Sequence, residues 1–409
     1  MNLVNASVLT INAGSSSIKF AVYQLGNVLE SVLYGQVDRI GLSGARLTFQ
    51  EATGERQDSQ YIDVDATDYH WAAAFLLEWL QTRPEFTSVQ AVGHRVVHGM
   101  KHSEPQRITT VLLEELNRIM PFDLEHLPLE IALIELFLQR YPQLPQVACF
   151  DTAFHCNMPQ VASLLPIPRR FEAQGVRRYG FHGLSYEFLM TELARLGDAA
   201  ATQGRVILAH LGNGASLVAV RNGRSIDTSM SFTPTAGIPM STRSGDLDPG
   251  LVWYLARTEK MSAKQFNEMV NFQSGLLGLS ETSSDMRELL ACEADDTRAT
   301  EAIALYCYQI KKWIGAYAAA LGGLDTLVFA GGIGENAPLV RERICDGLNF
   351  LGIALNPAFN AKNARLISAQ PDQVKVRVIC TNEQLMIARS VIRVLNLDSQ
   401  GGTSKNSEF

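Results

Sequence analysis

The sequence predicts an α/β protein of two domains built on a duplicated unit, and three observations carry that reading. The chain has 409 residues, too long for one typical core and comfortable for two. It contains an internal echo: residues 8–22 read VLTINAGSSSIKFAV, and residues 206–220 read VILAHLGNGASLVAV. Each copy is an apolar strand, a small-residue turn carrying Asn, Gly and Ser, and a second apolar strand. Each then runs into another turn, Gly26-Asn27 in the first copy and Asn222-Gly223 in the second, both hairpin signals between apolar runs. Third, strand patterns alternate with helix patterns elsewhere, which implies sheets covered by helices with ligands gathering at strand ends.

The remaining elements follow from local pattern. Residues 65–81 place Trp71, Phe75, Leu76, Trp79 and Leu80 on one helical face, and Pro84 stops the helix. Short buried strands are expected at 89–92 and 147–150, and in the second half at 326–330 and 374–380, each of the latter leading into a helix. The most apolar stretch, 313–334, is broken by Gly322, Gly323 and Asp325, so it reads as a helix followed by a buried strand rather than a membrane span. Residues 399–409 are polar and read as a frayed tail.

Composition narrows the function. Hydrophobic residues at 46% and charged residues at 19% suit a soluble globular protein with a sizeable interior. A formal net charge of −7 argues against a nucleic-acid or anionic-membrane surface, so an anionic substrate needs a local cluster of Arg and Lys. Six cysteines show no CxxC pair and no zinc-site spacing with His, and read as scattered, reduced core residues of a cytosolic protein. The first basic residue is Lys19, so no signal peptide is expected.

Three glycine-rich turns sit at strand ends: Asn12-Ala-Gly-Ser-Ser-Ser17, His210-Leu-Gly-Asn-Gly-Ala-Ser216 and Gly331-Gly-Ile-Gly-Glu-Asn336. Glycine lets backbone N–H groups approach a phosphate, and Ser or Asn side chains add donors. The third turn is expected to open a helix near Asn336, whose dipole favours an anion. Singly, each is more often a tight turn; together, on a duplicated scaffold, they point to phosphate binding. None fits GxxxxGK[ST] or a strand-linked GxGxxG. Polar residues cluster at other strand ends: His94-Arg95-Val-Val-His98, Asp151 after Phe150, Arg177 to Gly183, and Thr242 to Asp246. A Gly-flanked Arg in such a loop suits an anion clamp better than a solvated surface role. Two readings compete for Glu383, because Thr381-x-x-Gln384 is also a capping box in which a first-turn acid is purely structural.

These blocks resemble the acetate kinase family, in family order from about residue 8 to 395: NAGSSSIK from Asn12, GHRVVHG from Gly93, FDTAFH from Phe150, RRYGFHG from Arg177, HLGNGAS from His210, IDTSM from Ile226, TRSGDLDP from Thr242, GGIGEN from Gly331 and TNE from Thr381. The resemblance implies a duplicated actin-like or ribonuclease H-like α/β fold with a cleft between its domains. It implies an acyl kinase domain over 1–154 plus about 386–409 and a nucleotide-binding domain over 155–385. The C-terminal helix after Thr381 is expected to pack back on the first domain.

By position the resemblance makes Asn12 and Glu383 part of a magnesium site, with manganese as a substitute. Lys19, His210, Leu211, Gly212, Asn213, Gly214, Asp285, Met286, Arg287, Gly332, Ile333, Gly334, Glu335 and Asn336 match nucleotide contacts. Arg95 matches the substrate-carboxylate contact, Asp151 the acidic active-site residue, and His182 and Arg243 the stabilisers of the transferring phosphoryl group. Val97, Phe181 and Pro234 match the apolar pocket around the acid's methyl group, where Val97 fills space that Ala leaves open in relatives resembling propionate kinases. Asp151 suits orienting an arginine or the magnesium shell better than acting as a base.

The expected reaction is reversible, magnesium-dependent transfer of the ATP γ-phosphoryl group to acetate, giving acetyl phosphate and ADP, in a cytoplasmic homodimer. Propionate is the alternative acid; a switch ATPase of the actin or chaperone kind is the rival of a different class. The chain departs from the family pattern at Glu125 and Leu127, at Leu184 and Tyr186, over 238–241, and at Met286. None of these removes a charge-handling residue. They bear instead on the acyl pocket and on nucleotide preference.

Overall fold

The computed structural model describes residues 6–14, 17–41, 44–51, 60–64, 68–197, 199–370 and 373–397. Ser15, Ser16, the start of the 65–81 helix pattern and the 399–409 tail therefore lie outside the described residues. The chain divides into two compact units, one running to Ala153 and resuming at Asn382, the other spanning Phe154–Thr381.

The first unit carries an eight-stranded sheet. Strands β1 (Ser7–Ala13), β2 (Ser17–Gln24), β3 (Glu30–Asp38), β4 (Arg46–Glu51) and β5 (Gln60–Asp63) form an antiparallel meander. On the other side of β1, strands β6 (Val89–Val96) and β8 (Gln146–Phe150) add in parallel, and the short β7 (Gln106–Arg107) edges β8 antiparallel. The order is β5-β4-β3-β2-β1-β6-β8-β7. One face buries Ile11, Phe20, Val22, Leu33 and Phe49 against helices Tyr69–Gln81 and Leu127–Arg140, through Leu76, Leu80, Leu133 and Phe137. Each fully buried side chain of this kind contributes roughly 1.5–3 kcal/mol of transfer free energy. The helix Glu383–Leu395 packs on β1, β2, β6 and β8 of the same unit, with Ala388 against Ala21 and Tyr23.

The second unit repeats the plan with five strands: β9 (Arg205–Leu211), β10 (Ala215–Arg221), β11 (Arg224–Thr228), β12 (Thr326–Ala330) and β13 (Lys375–Val378), in the order β11-β10-β9-β12-β13. Antiparallel pairing of β9, β10 and β11 matches that of β1, β2 and β3, and parallel β12 and β13 match β6 and β8. The Asn222-Gly223 turn has φ 52° and 73°, the two left-handed positions of a type I′ hairpin. Helix Thr297–Leu321 covers β10 and β9, burying Ile303, Tyr306, Ile310, Ile314 and Tyr317. The 313–334 stretch is thus the end of this helix, then β12. Among the described residues no helix is long and apolar enough to cross a membrane.

Three expectations are corrected. Asp68 caps the first helix, accepting the Trp71 N–H at 2.8 Å, and the buried stripe is Ala72, Ala73, Leu76, Leu77 and Leu80. Trp71 is 38% exposed and stacks on Phe75 at 5.4 Å, because an i,i+4 aromatic pair at the stripe's edge can satisfy itself. The third glycine-rich segment is not a turn but a short helix itself, Gly331–Asn336, and the helix expected near Asn336 opens next to it as Pro338–Cys345. Of the six free cysteines, Cys149, Cys307 and Cys345 are core residues, while Cys156 and Cys292 are half-buried and Cys380, just past β13, is exposed.

Candidate active site

Four chain segments converge in the first unit, three positioned by strand ends and the fourth by a helix start. Asn12 is the penultimate residue of β1 and is only 8% exposed; its amide Nδ2 donates to Glu383 Oε2 at 2.6 Å. Glu383 opens its helix at N1, because Asn382 supplies the cap and accepts the Leu385 N–H at 2.9 Å. The predicted Thr381–Gln384 capping box is therefore not formed. The Thr381 N–H is satisfied by Glu335 Oε1 at 3.0 Å and its hydroxyl bonds that of Ser185, so it has no cap to make.

Arg95, near the end of β6, is held on three sides. Its Nε and Nη2 donate to Asp151 Oδ2 at 2.8 and 2.5 Å, and its Nη1 donates to the Ala13 carbonyl at 2.9 Å. Asp151 is fixed in turn by its own N–H, which donates to the Val96 carbonyl at 3.0 Å. Burial works against the Arg95 charge, but Asp151, Glu130 and Glu383 outweigh it and hold the guanidinium protonated. Val97 follows β6 and is 1% exposed. Lys19, opposite Asn12 in the β1–β2 register, is exposed.

Sequence reading missed one residue here. Glu130, in the first turn of helix Leu127–Arg140, is 2% exposed; its Oε2 accepts the Val97 N–H at 2.8 Å, and its Oε1 lies 3.6 Å from Arg95 Nη1. The one available signal was an acid among apolar neighbours in a Leu-Pro-Leu-Glu run, which also suits an ordinary first-turn acid. Nearby, His126 Nδ1 bonds Asp123 at 3.0 Å. Burial pushes the Asp123 carboxyl up, yet the His126 contacts prevail and hold it below its usual range.

The second unit gathers a different set. His182 caps helix Gly183–Arg195 with φ 59° and ψ 25°, a left-handed conformation that costs a non-glycine residue about 1 kcal/mol or more. Its Nδ1 hydrogen-bonds Ser216 Oγ at 2.8 Å, and Ser216 bonds the Tyr186 hydroxyl. The ring stacks on His210 at 4.4 Å between centroids. His210 is the penultimate residue of β9 and bonds Ser185 Oγ through Nδ1 at 2.8 Å. Hydroxyls thus orient both imidazoles. Arg243 Nη1 donates to the Pro234 carbonyl at 3.3 Å. A methyl group placed on Gly214 would lie 3.1 Å from His182 Nε2 and 3.4 Å from Arg243 Nη1, so both nitrogens converge on that bare Cα.

Two glycine turns meet here. The position a Gly212 methyl would take is 3.9 Å from Gly332 N, so Gly212 lies beside Gly332. Gly331, at φ +75°, could not carry a side chain, since its Cβ would sit 2.7 Å from the Leu211 carbonyl. Glu335 Oε1 accepts the Gly331 N–H at 2.8 Å, and Asn336 donates to the Gly332 carbonyl at 3.0 Å. Beneath the turn, Arg341 is 0% exposed and spends all five N–H groups on neutral acceptors. These are the carbonyls of Gly334, Glu335 and Asn360 and the side-chain oxygens of Asn360 and Asn363.

Asp285 caps helix Met286–Cys292 and pairs with the exposed Arg287, while Met286 is buried. Phe181 and Pro234 are buried in this unit, and His155 Nε2 bonds the Phe181 carbonyl at 3.0 Å. Val97, their expected partner, belongs to the first unit.

Among the described residues no cluster of three or more His, Cys, Asp or Glu side chains could hold a metal unaided. What is present is one carboxylate beside one amide, Glu383 and Asn12. Both offer hard oxygens, which suits a magnesium ion that keeps waters and phosphate oxygens in its shell.

Comparison with known proteins gives the family of the chain. The family model described as the acetokinase family matches residues 7–389. An acetate kinase of Methylocella silvestris is 43% identical over 95% of this chain and 98% of its own. A propionate kinase of Citrobacter rodentium is 40% identical over 95% and 96%. The crystal structure of Porphyromonas gingivalis acetate kinase superposes with a TM-score of 0.84 at 35% identity, covering 95% of this chain and all of that one.

Proposed function

The chain belongs to the acetokinase family and has its duplicated actin-like α/β fold, and from this premise we propose that it transfers the γ-phosphoryl group of ATP reversibly to acetate. The observation that carries the reading is the convergence of His182 and Arg243 on the bare Cα of Gly214, beside two glycine turns. Acetate is already ionised at pH 7, so the nucleophile needs no base. The obstacle is bringing one anion to another.

Arg95 takes the acid's carboxylate, and Asp151 orients Arg95 rather than acting as a base, since its Oδ2 already accepts two guanidinium N–H groups. Arg243 and His182 stabilise charge on the moving phosphoryl group, His182 pre-oriented by Ser216 and Tyr186 and Arg243 by the Pro234 carbonyl, so that little reorganisation remains at the moment of transfer. His210 to Gly214, Gly332 to Asn336, Lys19 and Asp285 to Arg287 bind the nucleotide. Glu383 and Asn12 hold magnesium, which when bound neutralises phosphate charge. Family resemblance assigns Val97, Phe181 and Pro234 each to contact with the acid's alkyl group.

Hydroxylamine trapping tests the reading. An acyl kinase yields acyl hydroxamate in proportion to added acid. Phosphate release alone, without hydroxamate, would mark a switch ATPase and overturn it. Propionate remains the second reading because a propionate kinase is 40% identical, and the same assay with both acids separates the two.

A homodimer is proposed from an apolar surface of the second unit. Leu247, Trp253, Tyr254, Leu279, Leu305 and Tyr308 are 36–69% exposed, and several border a cavity of about 710 Å³. Sedimentation as a monomer at micromolar concentration would refute this. A cytoplasmic location is proposed from ATP as substrate and six free thiols.

A further inference from the structure

Arg95 has five N–H groups. Three are spent on Asp151 and Ala13, leaving one on Nη1 and one on Nη2 for a substrate carboxylate. Glu130 faces that remaining Nη1 position, with Oε1 at 3.6 Å and in no hydrogen bond of its own. The titratable and charged groups facing Glu130 are Arg95 from β6, Asp151 after β8, Asp123 with its partner His126 from the loop before its own helix, and Tyr69 from helix Tyr69–Gln81. Arg95 is the permanent cation of this set, and Asp151 already neutralises it. An ionised Glu130 would leave excess negative charge where an anionic acid has to bind.

We propose that Glu130 is a positioning residue of the acid subsite, whose carboxyl is neutral while the substrate carboxylate sits on Arg95, so that acid binding and proton uptake at Glu130 are linked. The proton comes from solvent and joins the Glu130 carboxylate; no bond in the substrate changes. The inference rests on the reading that Arg95 receives the acid. The same carboxyl accepts the Val97 N–H, so one side chain fixes both the guanidinium and the residue proposed to limit acid size. Burial pushes the Glu130 carboxyl up to about 8, with Arg95 and the Val97 N–H pulling down and Asp123 and Asp151 adding to the rise. The neutral form therefore prevails near pH 7.

The test is the pH profile from 6 to 9.5, followed by ADP release, of KM for acetate, KM for ATP and kcat in wild type, Glu130→Gln and Arg95→Ala. In wild type, KM for acetate rises about tenfold per pH unit above the Glu130 pKa, while KM for ATP and kcat do not follow it. Glu130→Gln, a permanently neutral isostere, abolishes the rise. Calorimetry of acetate binding to wild type at pH 8.5, in buffers of different ionisation enthalpy, shows proton uptake and needs no variant. A flat wild-type profile, a rise that survives in Glu130→Gln, or binding without proton uptake overturns the inference. Arg95→Ala separates the two levels. If its KM for acetate at pH 6.5 is normal, the Arg95 reading fails; if that KM is raised and Glu130→Gln keeps the wild-type profile, only the Glu130 inference fails.

Discussion

The ends of β1 and β9 occupy matching places in two sheets built on one plan and carry opposite chemistry. Around the first, deeply buried carboxyl groups (Asp151 at 1% exposure, Glu130 at 2%) close on a single guanidinium, and Glu383 meets the Asn12 amide. Around the second, two stacked imidazoles are supported by the neutral hydroxyls of Ser216, Ser185 and Tyr186, and Arg243 donates to the Pro234 carbonyl. The difference teaches that duplication supplies equivalent places at strand ends, whereas side chains set the sign of the charge. In the proposed reading one copy holds a cation and a carboxylate, the other phosphate oxygens.

The largest expected effect comes from removing a charge in the first unit. Glu383→Gln keeps the size and the Asn12 contact but loses the metal-binding anion, so turnover should nearly vanish while the melting temperature barely moves. A stable, fully active variant at ordinary magnesium would return Glu383 to a structural role, where its loss costs only about 0.3–1 kcal/mol. Next is the second unit's cation. Arg243→Ala should lower kcat by about 10²–10³ with little change in KM for ATP. Near-normal kcat with a raised KM for ATP would mean that Arg243 binds ground-state nucleotide instead.

Val97→Ala probes a smaller effect. One methylene is worth about 1–3 kcal/mol, so the wild type should prefer acetate over propionate by roughly 10- to 200-fold in kcat/KM. The variant should narrow that ratio chiefly by improving propionate. Equal use of both acids by the wild type, or an unchanged ratio in the variant, would defeat the assignment. The last effect is common to both units and acts on stability rather than on turnover. His94 in the first and His155 in the second are each pushed down to about 4 by burial. Below their unfolded value of 6.5, the unfolded chain takes up protons that the folded one refuses, so stability falls as pH drops from about 6.5 toward 4. The slope is about 1.4 kcal/mol per pH unit for each imidazole. Urea unfolding of wild type and His155→Gln measures it, and an identical slope in both would exclude His155 as a contributor.

Much of the fold was legible because its signals are local. The echo of 8–22 in 206–220 announced the paired meanders, and Asn222-Gly223 announced its hairpin by the one turn type that accepts both residues. Fine boundaries were less legible: the cap fell on Asn382 because a distant hydroxyl and carboxylate had already satisfied Thr381. Motif-bearing residues such as Arg95, Asp151, His182 and Arg243 stand out by their glycine-flanked or strand-end settings. Their supports do not. Glu130 reaches Val97 across 33 positions of chain, and nothing within its own helix marks it as other than a first-turn acid.

Arg341 has a consequence for the order of assembly. Its guanidinium ties the Gly331–Asn336 turn to Asn360 and Asn363, downstream residues that supply neutral acceptors in place of a carboxylate. During synthesis the turn therefore emerges before the partners that shape it. Until residue 363 has left the ribosome and helix Pro357–Ala361 has closed over it, that cation has no dry place to go, and the Gly331–Asn336 segment stays unfinished even though its own residues are complete.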